Sequence, residues 1–130
     1  MKKKIFSLVA IVAFLSSCTS SKVTFDLSNG GKPLPADIKI AFLDVQQALP
    51  ANVEKIGDAK YENLGSPNHC DFDSNLIHAG KLARDNGANL VKVIKNKVPS
   101  SGNPCDRTQI EFYYYSGDVT TLQQYHLQAK

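Results

Sequence analysis

The sequence predicts an α+β fold, with a small, mainly antiparallel sheet and one helix packed on a face of that sheet. Two segments, 37–42 and 108–115, alternate apolar and polar residues, which is the period of a half-buried strand. Between these segments, apolar residues recur at the spacing of a helix face, at Phe72, Leu76, Ala79 and Ala83. The predicted order is strand, strand, helix, strand, strand, which is typical of a helix layered on a small sheet.

The predicted helix has a start signal and a stop signal. Asp71 or Asp73 can cap its first turn, because a carboxylate accepts the free amide hydrogens there and meets the positive end of the helix dipole. Asn86 and Gly87 follow the last apolar position and supply the left-handed residue on which many helices end.

The first and last of these strands are predicted from alternation alone. Strand 37–42 places Ile38, Ile40 and Phe42 on one face. Strand 108–115 places Ile110, Phe112 and Tyr114 in the core, with Tyr113 and Tyr115 facing outward.

Two more strands complete the sheet, and two segments stay open. Residues 53–62 form the second strand, interrupted by Gly57, and residues 88–95 form the third, because they are rich in β-branched side chains. Segment 23–27 is either a strand or the approach to the domain. Segment 118–128 is either a short helix capped by Asp118, carrying Val119, Leu122 and His126, or a final strand.

The amino terminus has the pattern of an export signal. Three lysines follow Met1, and the apolar stretch at 5–15 has eleven residues, too few for a bilayer-spanning helix of roughly 20 residues. The next residues, Leu15-Ser16-Ser17-Cys18, resemble the lipobox of bacterial lipoproteins. The resemblance implies that the signal is cut before Cys18 and that this cysteine carries acyl chains. The predicted organisation is a signal peptide at 1–17, a lipidated tether at 18–35 and a single α+β domain at 36–130.

The lipobox resemblance also implies a location. Two or more acyl chains give stable attachment to a bilayer. Thr19 follows Cys18, where an aspartate would be the inner-membrane retention signal of enteric bacteria. We therefore expect a lipid-anchored envelope protein of the outer membrane, facing the periplasm, with the lipid bilayer as its first partner.

Removal of the signal changes the net charge. Three of the 15 basic residues lie in the signal, which leaves 12 basic against 12 acidic residues in the remaining 113. A formally neutral chain lacks the basic excess of a nucleic-acid-binding domain. Nucleic acid is therefore not an expected partner, and the length is that of one domain.

With Cys18 used for lipid, two thiols remain, Cys70 and Cys105. An even pair in an oxidising compartment predicts a disulfide. The alternative is a redox-active or metal-binding cysteine, but the sequence has no C-x-x-C motif.

Three segments resemble the periplasmic domain of the RcsF family, outer-membrane lipoproteins that sense envelope stress in enteric bacteria. They are Lys55-Ile-Gly-Asp58 leading to Cys70, the helix end Ala83-Arg-Asp-Asn-Gly-Ala-Asn-Leu-Val91, and Ser100-Ser-Gly-Asn-Pro-Cys105. The resemblance covers roughly residues 36–115. It implies that Cys70 lies at the helix entrance and that Cys105 lies in a hairpin, and it implies an envelope-sensing role. The chain departs from the family in having no long proline-rich tether and no second disulfide.

The sequence indicates no catalytic chemistry. A metal site or a Ser/His/Asp site could be assembled from Ser66, His69, Cys70, Asp71, Asp73 and His78. These residues have neither the spacing of tetrahedral ligands nor a nucleophile elbow. We expect no enzyme activity, no cofactor and no metal.

Two functional hypotheses follow. In the first, the protein acts without catalysis as an envelope sensing or protein-binding module, with Tyr113 and Tyr115 as candidate partner-binding residues, because exposed tyrosines bring large contact area. Both tyrosines are also good cross-strand packing residues within the sheet. In the second hypothesis, the same anchor carries a small-ligand or metal-binding module.

Replacing Cys18 by alanine is expected to abolish the incorporation of labelled fatty acid in cells, because the thiol is the predicted acylation site. Gel analysis after metabolic labelling measures the effect. Ser17→Ala keeps a small residue before the cut and should retain the label. Labelling that survives Cys18→Ala would exclude the lipobox.

Overall fold

The computed structural model describes residues 22–62 and 70–128. It confirms an α+β fold, with one helix between the third and fourth of five strands. The elements are β1 Lys22–Leu27, β2 Ala41–Leu43, β3 Val53–Glu62, α1 Phe72–Asp85, β4 Leu90–Lys97 and β5 Arg107–Tyr115.

The five strands form one mixed sheet in the order β1-β3-β5-β4-β2. Three of the four neighbouring pairs are antiparallel, and β2 runs parallel to β4. The two edge strands are therefore β1 and β2. The first strand lies inside the stretch 18–35 that the sequence assigns to the tether, so the folded part of the chain begins before residue 36.

Helix α1 begins and ends where the sequence predicts. The Asp71 side chain caps its start and accepts a hydrogen bond from the Ser74 amide at 3.0 Å. Asn86 is the C-cap residue, and the following Gly87 has a φ of +86°, a left-handed conformation that favours glycine. The predicted apolar stripe is buried at Leu76, Ala79 and Ala83, while Phe72 is half-buried.

The main core lies between α1 and one face of the sheet, here called the helix face. Central strands supply buried residues to it at Val91, Val93, Ile110 and Phe112. Edge strand β1 adds Phe25, whose ring meets that of Phe112 edge-on with centroids 5.6 Å apart. This aromatic contact ties β1 into the domain.

The opposite face, here called the open face, has a smaller core. Its buried members are Ala41, Leu43, Leu90 and Val119. Beside it, the buried Lys92 ammonium donates hydrogen bonds of 2.6 to 3.1 Å to three carbonyls, those of Asp44, Val45 and Gln47. A buried ammonium satisfied by three acceptors holds this loop on the sheet.

Strand β2 is shorter than predicted. Residues 36–38 form a turn, in which the Ile38 amide donates to the Pro35 carbonyl at 3.1 Å. The prediction that Ile38 lies in a half-buried strand is wrong, because this turn leaves Ile38 exposed and the strand begins at Ala41.

The carboxyl-terminal segment 118–128 is neither the full helix nor the strand that the sequence allows. Asp118 caps a single 3₁₀ turn, Val119–Thr121, and no regular element follows up to residue 128. The extended part is fixed by Tyr125, whose amide donates to the Phe42 carbonyl at 2.7 Å and whose hydroxyl donates to Asp73 at 2.6 Å. It therefore covers the outer edge of β2.

The predicted disulfide joins Cys70 to Cys105, and both residues are buried. Their Cα atoms are 5.1 Å apart, and the Asp106 amide donates to the Cys70 carbonyl at 3.0 Å. The bond connects the start of α1 to the start of β5. Closing a loop with a sequence separation of 35 stabilises a fold by about 3 to 4 kcal/mol in the chain-entropy model.

Strand β3 contains a bulge at Ile56. Lys55 pairs with Tyr113 and Gly57 pairs with Phe112, so Ile56 is an extra residue. The Ile56 carbonyl accepts hydrogen bonds from the amides of Ser28 and Asn29, both at 2.9 Å. The bulge thus anchors the chain where β1 ends.

Gly57→Ala is expected to lower the free energy of unfolding by about 1 to 3 kcal/mol, because an added methyl group overpacks an interior that is already closely packed. A Cβ at this position would lie 2.4 Å from the Asp26 carbonyl oxygen, and backbone cannot yield as a side chain can. Chemical denaturation measures the change.

The matched control is Gly31→Ala. There the nearest atoms to a Cβ are 3.9 Å away, so the change should stay within about 0.5 kcal/mol. Equal effects of the two substitutions would contradict the close approach of β1 to the bulge.

Candidate functional site

Several predicted site residues lie outside the described residues. These are Cys18, the predicted lipidation site, and Ser66 and His69 of the imagined catalytic or metal sites.

The described members of the imagined metal site have structural partners. Cys70 is in the disulfide, and Asp71 caps α1. Asp73 is buried and accepts hydrogen bonds from the carboxyl-terminal segment, at 2.6 Å from both Tyr125 and Gln128. Within residues 22–62 and 70–128, no three His, Cys, Asp or Glu side chains are grouped to hold a metal ion.

His78 lies on the exposed side of α1, and its Nδ1 is 2.7 Å from the hydroxyl of the buried Tyr61. Burial raises the pKa of the Tyr61 hydroxyl, so this group stays protonated. The pair attaches the middle of the helix to β3.

The three tyrosines of β5 differ from their prediction. Tyr114 is exposed, so its predicted place in the core is wrong. The alternation holds through Ile110 and Phe112, but the buried part of the helix face ends there. Tyr113 and Tyr115 are half-buried and pack against the small core of the open face, which leaves each of them less surface for a partner.

Tyr113 belongs to a polar cluster on the open face. Its hydroxyl donates to Glu111 at 2.6 Å, and the Lys55 ammonium lies 3.2 Å from the other oxygen of the same carboxylate. Burial alone would raise the pKa of Glu111, but the hydrogen bonds from Tyr113 and Lys55 outweigh it and hold the pKa below its ordinary value. Burial, with the bond to Glu111, raises the pKa of Tyr113 to about 12.

The larger candidate site is a groove between α1 and the segment 36–42, here called the helix groove. It is an open depression of about 680 Å³. Its apolar lining comes from Ile38, Ile40, Phe42, Ile77 and Leu127. Ile77 is 59% exposed, so the groove presents apolar surface to solvent.

Gly80 shapes the floor of the helix groove. A Cβ at this position would lie 2.8 Å from the ring of Phe42, so only glycine lets this ring lie against the helix without displacement. Glycine inside a helix costs about 0.5 to 1 kcal/mol relative to alanine. A glycine inside the predicted helix is therefore the one signal in the sequence that points to the groove, and the apolar stripe of the helix does not include it.

The rim of the helix groove is mainly basic. Lys39 and Lys81 are exposed, and Asp37 is the acidic residue of the lining. Arg84 also lines the groove, and its guanidinium donates to the Pro35 carbonyl at 2.6 Å. Arg84 therefore fixes the segment that forms one wall. The ion pairs found among the described residues involve neither Lys39 nor Lys81.

Comparisons of the chain with family models, with curated proteins and with solved structures find no match. The lipobox and the likeness to the RcsF domain therefore stay predictions from the residues. Among the described residues, no helix is both long and apolar enough to cross a bilayer.

Glu111→Gln is expected to lower the free energy of unfolding at pH 7 by about 1 kcal/mol, the value of a partly exposed charge-assisted hydrogen bond. The folded-state pKa of Glu111 is lowered. Its stabilisation is therefore complete above the unfolded pKa of about 4.3 and is lost as the pH falls through the folded value. Denaturation at a series of pH values should show the variant and the original protein converging below pH 4.

Glu54→Gln is the control, because Glu54 is an exposed carboxylate on the same strand as Lys55. Its effect should be small at every pH. A Glu111→Gln difference that persists unchanged into strong acid would contradict the ionic origin of the stabilisation.

Proposed function

We propose that the protein is a lipid-anchored component of a bacterial envelope that acts without catalysis, by binding another envelope protein. The observation that carries the binding half of this proposal is the helix groove, which combines exposed apolar surface with a basic rim. The lipobox at Leu15-Ser16-Ser17-Cys18 supports the anchor, and the buried disulfide fits an oxidising compartment.

The chemistry of the helix groove indicates the kind of partner. Apolar side chains at the centre of a contact supply most of its binding energy, and charges at the rim select the partner and its orientation. Lys39 and Lys81 stand beside the apolar lining, and both are exposed. The expected ligand is an apolar segment flanked by acidic residues.

The likeness to the RcsF family supports an envelope-sensing role, in which occupancy of the domain changes with the state of the envelope. The short connection to the anchor makes this role different from that of a long-tethered sensor. Three residues separate Cys18 from the first residue of β1. The domain would therefore meet partners that lie close to the membrane surface.

A photo-crosslinking amino acid at Ile77, introduced in living cells, is expected to capture a protein partner through the helix groove. The matched control is the same amino acid at Val45, which is 48% exposed but does not line the groove. Mass spectrometry of the crosslinked product identifies the partner. Lys81→Glu should reduce the yield at Ile77 by about tenfold or more, because like charges across an interface cost several kcal/mol.

Equal capture of the same protein at Ile77 and Val45, or capture at Ile77 that Lys81→Glu leaves unchanged, would contradict binding through the groove. Metal analysis of the purified mature protein tests the other function class. One metal ion retained per chain would favour a metal-binding module over a protein-binding one.

A further inference from the structure

Four basic residues lie together at one end of the sheet, here called the basic end. They surround a cavity of about 190 Å³: Lys60, Lys95, Lys97 and Arg107. Glu62 is the acidic residue of the same lining, so the surface carries an excess of positive charge. The three lysines are exposed. The mature chain is neutral as a whole, so this excess is a local concentration of charge.

Strand pairing explains how residues distant in sequence meet here. Gln109 of β5 pairs with Lys60 on one side and with Lys95 on the other, and Arg107 pairs with Lys97. Residues directly opposite each other on neighbouring strands share a face. The four cations therefore lie in two adjacent rows across β3, β5 and β4.

A second bulge places the lysines of β4 in these rows. Val93 pairs with Ile110 and Lys95 pairs with Gln109, so Ile94 is an extra residue. Because side chains alternate between faces, an unbulged strand would direct Lys95 and Lys97 to the helix face. The bulge directs both lysines to the open face instead, beside Lys60.

The cations of the basic end lack carboxylate partners in the described parts of the chain. Both ion pairs found there involve Lys55, with Asp58 and with Glu111. Arg107 makes one long hydrogen bond, 3.4 Å to the Val98 carbonyl. Like charges on neighbouring strands are destabilising. A surface that tolerates this repulsion is suited to an anionic ligand.

The chain that follows the predicted anchor joins the domain at the basic end. Lys22, the first residue of β1, pairs with Glu62, the last residue of β3. Cys18 lies four residues before Lys22, so their Cα atoms are at most about 14 Å apart even in an extended chain. Strand β4 lies three strand spacings from β1, which is also about 14 Å. The lysines are therefore within reach of the surface that holds the acyl chains.

From these observations we propose that the basic end binds the phosphate-bearing headgroups of anionic phospholipids in the membrane that holds Cys18. The inference rests on the lipid anchor of the proposed function. The anchor would fix the distance of the domain from the membrane, and the basic end would fix its orientation. The start of β1, the end of β3, the start of β5 and the end of β4 would then face the bilayer. Juxtamembrane cations are attracted to anionic lipid over roughly one Debye length, about 8 to 10 Å in physiological salt.

Val98 extends the same end with an apolar side chain. It follows Lys97 directly and is 67% exposed. An apolar residue beside several cations is typical of surfaces that lie in the membrane interface.

The helix groove lies on the opposite face of the sheet, beside β2, the edge strand farthest from β1. Lipid contact at the basic end therefore leaves the groove accessible to a protein.

The test uses Val98→Trp as a reporter, since the chain contains no tryptophan. The acylated protein is purified from membranes and placed in vesicles of brominated phosphatidylcholine, with or without phosphatidylglycerol. The bromine atoms quench nearby indole fluorescence in both kinds of vesicle, so the two differ only in the anionic lipid. We expect strong quenching in the vesicles that contain the anionic lipid. Raised salt should reverse this quenching by screening the charges.

The decisive variant combines Lys60→Gln, Lys95→Gln and Lys97→Gln. Each lysine near an anionic surface changes the equilibrium between the apposed and the detached domain by a factor of about five, so the triple variant should lose most of the quenching. The matched control replaces three exposed lysines elsewhere, Lys32→Gln, Lys39→Gln and Lys81→Gln. It removes the same charge and should retain the quenching.

Hydrogen exchange on the chain without the reporter gives a second measurement. Amides of residues 95–97 and 107–109 should exchange more slowly on vesicles with phosphatidylglycerol than on phosphatidylcholine alone. Quenching and protection that are equal with and without the anionic lipid would overturn the proposal. So would equal loss of quenching in the triple variant and the control.

The intact mass of the purified protein distinguishes a failure of the lipid-binding proposal from a failure of the proposed lipid anchor. An acylated protein whose basic end shows no preference for anionic vesicles excludes the lipid-binding surface and leaves the anchor intact. A protein without acyl chains excludes the anchor. If its basic end is still quenched on anionic vesicles, the surface binds lipid without that anchor.

Discussion

The Cys70–Cys105 disulfide connects the two halves of this small domain, because it links the start of helix α1 to the residues just before the central strand β5. Buried polar contacts continue from it, as the Asn75 amide donates to the Asp106 carbonyl and to the Thr108 hydroxyl. The disulfide contributes about 3 to 4 kcal/mol in the chain-entropy model. Domains of this size are stable by about 5 to 15 kcal/mol in total. The position of the helix, and with it the helix groove, therefore depends on a bond that requires an oxidising compartment.

The two faces of the sheet divide the proposed tasks. The helix face is closed by α1 and forms the main core, while the open face is covered at one end and carries the lysines of the basic end at the other. A protein partner at the helix groove and lipid at the basic end would then approach from different sides. With the proposed anchor at Cys18, this arrangement would give the domain one defined orientation on the membrane.

Sequence patterns failed where tertiary contacts override alternation. Ile38 and Tyr114 both continue an apolar alternation, but a turn held by the Pro35 carbonyl exposes the first, and the buried part of the helix face ends before the second. The bulge at Ile94 inserts one residue into β4 and reverses the faces of all that follow. Single-residue insertions of this kind leave no mark in the composition, so the basic end could not be predicted.

The sequence by itself determined the helix with both caps, four of the five strands in outline, the pairing of Cys70 with Cys105 and the prediction of a lipid anchor at Cys18. These features depend on local spacing, on cap chemistry and on the count of cysteines, all of which a single chain displays. Only the tertiary structure decided that β1 joins the sheet, that Gly80 admits the ring of Phe42, and that Lys60 lies beside Lys95. Each of these depends on register between strands or on close approach of distant segments, which hydrophobic periodicity does not encode.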